Sequence, residues 1–172
     1  MNADGGDFTR YGSGPIIDGG GFRPDPRTPL EKMRVFVARY PNTDILDSLA
    51  IDYTDQVPDM GGIFPQGLVE VSRVTDLLGN VTVTNQLNFA LYTVLTKALE
   101  DDVGATYNAE WVLDFQQWVQ GQSVTHAAPT FGDEPWSESI TAQNGEIYSS
   151  PTDGVAIYAI QMSVTYTKRW RA

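Results

Sequence analysis

The sequence predicts an α+β domain: a mainly antiparallel sheet of four to six strands with two helices packed on one face, plus an extended N-terminal arm. Three observations carry this. Val81, Val83, Leu87, Phe89 and Leu91 share one side of a period-two pattern whose other side is Thr82, Thr84, Gln86 and Asn88, so one sheet face is packed and the other wet. Trp111, Phe115 and Trp118 recur at helical spacing beside Val112 and Val119. Finally, Tyr158, Ile160, Met162, Val164 and Tyr166 alternate with Gln161, Ser163, Thr165 and Thr167 in a long closing strand over 155–170.

The elements follow in order. Residues 1–27 hold Gly5, Gly6, Gly12, Gly14, Gly19, Gly20 and Gly21, with Pro15, Pro24 and Pro26, and read as an extended arm. Its small apolar hooks, Ile16, Ile17 and Phe22, are candidate contacts to another subunit. One domain is expected over 28–172. Thr28-Pro29-Leu30-Glu31 supplies an N-cap, a proline at N1 and a glutamate at N3, and Pro41 stops the helix that follows. Leu49 to Tyr53 suits a short strand, and Thr54 to Gly67, with Pro58, Gly61, Gly62 and Pro65, reads as a long loop. A hairpin is expected from Gly67–Thr75 and Val81–Thr96 around Gly79-Asn80. The second helix is expected over 108–120, with Asn108 as cap and Gly121 just past its end. Ser137–Gln143 and Glu146–Ser149 flank Asn144-Gly145, a strong hairpin signal.

Composition narrows the function. With 41% apolar residues in 172, the chain buries a core without a metal or disulfide staple. It has no cysteine, which removes thiol catalysis and Cys-based zinc sites and fits a reducing compartment. No apolar run approaches the roughly 18 residues of a membrane helix, and no signal-peptide layout opens the chain, so an intracellular soluble protein is expected. The net charge of −11 leaves only Lys168, Arg169 and Arg171 as a basic cluster, so no specific DNA affinity is expected.

Catalytic patterns are sparse. His126 is the single histidine, and neither a G-x-S-x-G elbow nor a phosphate-cradling glycine loop is present. Asp101-Asp102 and Asp133-Glu134 pair carboxylates, as glycosidase or Mg²⁺ chemistry requires, but adjacent acids in turns are ordinarily solvated. A small acidic hydrolase on Asp133, Glu134 or His126, and a carbohydrate-binding fibre module, are therefore the rival readings. No catalytic residue, metal or cofactor is expected. Trp136, beside Pro135 in a polar loop, is a candidate interface anchor.

From about Leu30 onward the chain resembles the tail-terminator (tail-completion) family of long-tailed bacteriophages, which also carries "minor capsid protein" labels. The features are the short helix ending in proline (Arg34 to Pro41), the Ile51-Asp52-Tyr53 strand, the Gly/Pro loop and the long hairpin with Asn88 to Tyr92. The Trp-bearing helix and the closing strand Tyr158 to Tyr166 complete them, and that strand, preceded by the small hairpin Thr141 to Ser149, is the most specific part. The resemblance implies a virion subunit, assembled in the host cytoplasm. It would form a ring, typically hexameric, on the head-proximal end of the tail tube. Its partners would be further copies of itself, the major tail-tube protein and head-completion proteins, with the genome passing through the lumen unbound. A head-closure protein or the tube subunit itself is the nearest alternative. Met60, Ile63 and Phe64 in the 54–67 loop are the candidate tube-facing anchors.

Overall fold

The computed structural model describes residues 16–18, 21–23, 28–42, 48–51, 60–97, 102–149 and 154–172. Two short strands, β1 (Ile16–Asp18) and β2 (Gly21–Arg23), pair antiparallel with each other. Helix α1 spans Pro29–Val37, and β3 (Ser48–Ile51), β4 (Met60–Thr75) and β5 (Val81–Lys97) follow. Helix α2 runs Asp102–Val124, and β6 (Ser139–Ser149) and β7 (Gly154–Trp170) close the chain. The main sheet has the order β3-β4-β5-β7-β6. Every pair in it is antiparallel except β3 with β4. The expected α+β class holds, with a five-stranded main sheet and two α-helices among the described residues.

Thr28 opens α1 as expected: its Oγ1 accepts the Glu31 backbone N–H at 3.3 Å. The Glu31 carboxylate, 5% exposed, turns to Arg34, whose Nε donates at 2.8 Å. Both helices lie on one sheet face. Phe36 stacks on Trp118 at 4.8 Å, and Tyr40 meets Trp111, Phe115 and Trp118 edge-on. Beneath them sit Phe89 and Leu91 of β5 and Ile160 and Met162 of β7, paired Leu91↔Ile160 and Phe89↔Met162. Trp118 is half-buried against this cluster, and Phe115 and Ile160 are fully buried. Burying such side chains contributes about 1.5–3 kcal/mol each and dominates the stability of the fold.

Sequence expectation and structure part at three places. Helix α2 starts six residues before Asn108 and passes through Gly121. Asn108 is buried, and its Nδ2 donates to the Thr96 carbonyl at 3.0 Å. A helical glycine costs about 1 kcal/mol relative to alanine, but continuing the helix places Ser123, whose Oγ accepts the Ile140 N–H at 3.1 Å. The helix ends instead at Val124, closed by His126. This residue takes φ 54°, with Ala127 N–H donating to Gln122 O and His126 N–H to Ser123 O, a Schellman closure usually made by glycine. The single histidine is thus a helix terminator.

Asn144-Gly145 is not a hairpin turn. β6 runs straight through it along β7, with Gln143↔Gln161 followed by Glu146↔Ala159, so one extra residue bulges out. Asn144 takes the positive φ of 51°. Gly145 lies so near α2 that a Cβ there would stand 2.2 Å from Val112 Cγ1, which is why this position carries no side chain.

The loop expected over 54–67 is also corrected. Residues 52–59 lie outside the described residues, but from Met60 onward the chain is strand. Gly61 and Gly62 are buried there, and Met60 to Ile63 pair with β3 on one side and β5 on the other. In the sequence alone, small residues inside a packed strand resemble loop punctuation.

Thr93, on the packed face of β5 opposite Tyr158, is 0% exposed, and its Oγ1 has no hydrogen-bond partner among the described residues. A buried hydroxyl without a partner costs free energy that a methyl of the same shape does not. Thr93→Val is expected to raise stability by about 1 kcal/mol, read as a higher denaturant midpoint with unchanged slope.

Candidate functional site: a projecting hairpin

Along β5 burial continues to Asn85 and Val83, and β7 stays paired with it up to Val81↔Trp170, but β4 leaves the packed core after Phe64. Residues Pro65 to Thr75 of β4 are exposed throughout. At about 3.3 Å per residue this arm of the hairpin extends roughly 35 Å. Gly67 (φ 108°) and two bulges, at Gln66 and Val71, adjust its register.

Four apolar side chains stand out from it: Leu68, Val69, Val71 and Val74, each more than half exposed. At its end Leu77 and Leu78 are 106% and 80% exposed, the values of side chains with almost no intramolecular contact. Hydrogen bonds brace this tip. The Asp76 carboxylate accepts from Leu78 N–H at 2.8 Å, Asn80 N–H at 2.9 Å and Asn80 Nδ2 at 2.8 Å. The Asn80 side-chain bond, with the backbone bonds after it, holds the carboxyl below its usual pKa. Gly79 takes φ 85°, and Asn80 Oδ1 receives the Ala172 N–H at 3.3 Å, tying the tip to the end of the chain. Two leucines are thereby held in water on a braced turn.

The edge of the sheet is open along the same stretch. β3 pairs only with Met60 to Ile63, and no described strand pairs with the outer edge of β4 from Phe64 to Thr75. Glu70 and Arg73 form an exposed ion pair on it (Arg73 Nη2 to Glu70 Oε2, 2.7 Å), which lowers the Glu70 pKa and raises that of Arg73 through their hydrogen bond. Such exposed pairs add little stability. Unpaired backbone and apolar side chains on one strand form a template for another protein.

The residues singled out from sequence fall elsewhere. Ile63 is 1% exposed in the core, Phe64 packs edge-on against Tyr92 at 5.0 Å, and Met60 is half-buried, so none is a loop anchor. The side chains of Ile16, Ile17 and Phe22 lie outside the described residues. Trp136 is 80% exposed on a short 3-10 turn (Pro135–Ser137), edge-on to His126 at 5.0 Å. Asp133 and Glu134 are both engaged with β7: Asp133 Oδ2 accepts the Arg169 N–H at 2.8 Å, and Glu134 pairs with the Arg169 guanidinium. Their loop covers the β7 edge beyond the reach of β6, with Asp133 N–H on Thr167 O at 2.8 Å. The side chains of Asp101 and Asp102 lie outside the described residues. Among those described, no three His, Asp or Glu side chains cluster as a metal site, and no helix is long and apolar enough to cross a membrane.

No protein-family model and no curated protein matches the chain. The hairpin is as the sequence predicts, but its exposed surface is not legible there because Leu68-Val69-Glu70-Val71 alternates poorly. The one usable signal was the Leu77-Leu78 pair inside a turn, where solvated residues are the rule.

Proposed function

We propose that this chain is a structural subunit of a long-tailed phage that forms a ring on the head-proximal end of the tail tube, ends tube growth and joins the tail to head-completion proteins. The observation that carries the reading is the braced hairpin, with Leu77 and Leu78 exposed at its tip and an open apolar strand edge beside them. A polymerising tube presents the same unsatisfied surface after every addition. A terminator must bind that surface and offer a different one beyond it. The hairpin tip stands away from the helical layer, so one end of the molecule can engage the tube while the other turns to the head. The tube contact is the hairpin and not the 54–67 stretch, whose residues from Met60 on belong to the sheet. The short proline-ended helix, the long hairpin, the Trp-bearing helix and the closing strand, similar to those of tail terminators, support the same reading; the Gly/Pro loop from Met60 onward and the hairpin at Asn144-Gly145 do not.

Particles assembled without this chain test it. They are expected to carry tails of uncontrolled length and heads that fail to join. Normal tails on such particles overturn the reading. Purified chain that grows into open tubes, instead of stopping at a single ring, assigns it to the tube subunit.

A further inference from the structure

The side of the sheet away from the helices has an unusual charge distribution. By register, β5 presents Thr82, Thr84, Gln86 and Asn88 there. β7 adds Gln161, Ser163, Thr165 and Thr167, and β6 adds Thr141 and Gln143. An open groove of about 270 Å³ runs between Gln66, Gln86, Asn88, Gln143 and Gln161. None of these residues is charged, in a chain that is 19% charged with a net charge of −11. On this side Glu146 marks one end of the neutral stretch, and Arg169, bound to Glu134, marks the other. Glu70, Arg73 and Lys168 register with the packed side, opposite Asn85, Val83 and Val83 of β5.

We infer that this neutral sheet face lines the lumen of the ring and is the surface past which duplex DNA moves, an inference that rests on the function proposed above. Lysines or arginines there would release counterions from the DNA and hold it. Carboxylates there would repel phosphate directly. Charges on the helical side lie behind a layer roughly 10 Å thick, while screening at physiological salt acts over about 8 Å, so they reach the lumen weakly. The polar groups are also partly satisfied among themselves. Gln86 Nε2 donates to Asn88 Oδ1 at 2.7 Å, Thr141 and Ser163 share a hydrogen bond at 2.9 Å, and Asn144 Nδ2 donates to Gln161 Oε1 at 3.0 Å. A face that docked another protein would centre on desolvated apolar or aromatic anchors. Here β5, β6 and β7 offer none in the neutral stretch; the apolar groups of this face are Val69 and Val74 on the β4 edge, and Phe64, Tyr92 and Tyr148 with buried Val94, Val155 and Ile157 toward the Glu146 end.

The absence of cysteine makes the test direct. Gln161→Cys, and Thr84→Cys as a second site, are introduced singly, with Leu113→Cys on the exposed side of α2 as control. In the unassembled chain each cysteine is expected to react with both a small maleimide and a maleimide carrying a bulky polyethylene glycol chain. In assembled rings the lumen positions are expected to lose reaction with the bulky reagent and keep it with the small one, while Leu113→Cys keeps both. In DNA-filled particles the small reagent is expected to fail at Gln161→Cys until the DNA has left. Reaction with both reagents in the ring places the face outside and overturns the inference. Reaction with neither buries it between subunits and overturns it equally. Ring formation is read before labelling, so a chain that forms no ring overturns the proposed function and is not confused with a misplaced face.

Discussion

Replacing Phe115 by alanine is expected to cost about 3–5 kcal/mol of folding stability. The ring is fully buried and touches three other aromatic residues: Tyr40 edge-on at 5.2 Å, Trp111 stacked at 5.8 Å and Trp118 at 5.9 Å. Those partners come from the end of α1 and from both neighbouring turns of α2, so truncation opens a cavity where helix meets helix. Its walls are fixed on the other side by the sheet through Phe89, Leu91 and Ile160, which limits collapse and keeps the cost high. The loss is read from denaturant unfolding followed by far-ultraviolet circular dichroism, because the flanking tryptophans would themselves change their fluorescence. The midpoint should fall with little change in slope. Leu113→Ala, on the same helix but 58% exposed, is the control and should stay within about 0.5 kcal/mol of the parent. A loss at Phe115 no larger than at Leu113 would mean that α2 does not pack as described.

Such core positions were the legible part of the chain. The stripe on α2 and the alternation on β5 and β7 are written in side chains whose only role is to face inward, so periodicity finds them. What periodicity missed depends on contacts distant in sequence. Asn144-Gly145 has the chemistry of a two-residue turn, yet β7 pairs on both sides of it and Val112 of α2 leaves no room for a Cβ, so the same chemistry serves a bulge. Gly121 has the chemistry of a helix end, but the Ser123 bond to Ile140 and the closure at His126 carry the helix further. Gly61 and Gly62 read as loop because their packing in β4 against β3 and β5 cannot be seen locally. The hairpin was foreseen, but not as a surface. Alternation detects a strand with one buried face, whereas the outer half of β4 is exposed on both and its apolar residues follow no single period.

The double substitution Leu77→Asp with Leu78→Asp is expected to leave a folded chain that no longer caps tubes. Folding should be almost unaffected, within about 0.5 kcal/mol, because both side chains stand in water and belong to neither core cluster. The turn itself survives, since Asp76 binds the backbone of residue 78 and both groups of Asn80, none of which is a leucine side chain. The effect on assembly is of another size. Apolar anchors at the centre of an interface contribute about 2 kcal/mol or more each. A carboxylate forced into the same contact adds the penalty of burying an unpaired charge. A combined loss of about 5 kcal/mol per subunit corresponds to roughly a 5,000-fold weaker contact, and a ring repeats that loss at every position. Particles made with this variant should therefore show tails of uncontrolled length or unjoined heads, by electron microscopy, while circular dichroism and unfolding of the purified chain remain those of the parent. Leu77→Met with Leu78→Met, which keeps the apolar volume, should restore normal tails. Normal tails with the aspartate pair would place the tube contact elsewhere on the molecule. Tails lost with both pairs alike would mean that the turn needs leucine for its own structure, contrary to the exposure and hydrogen bonding found there.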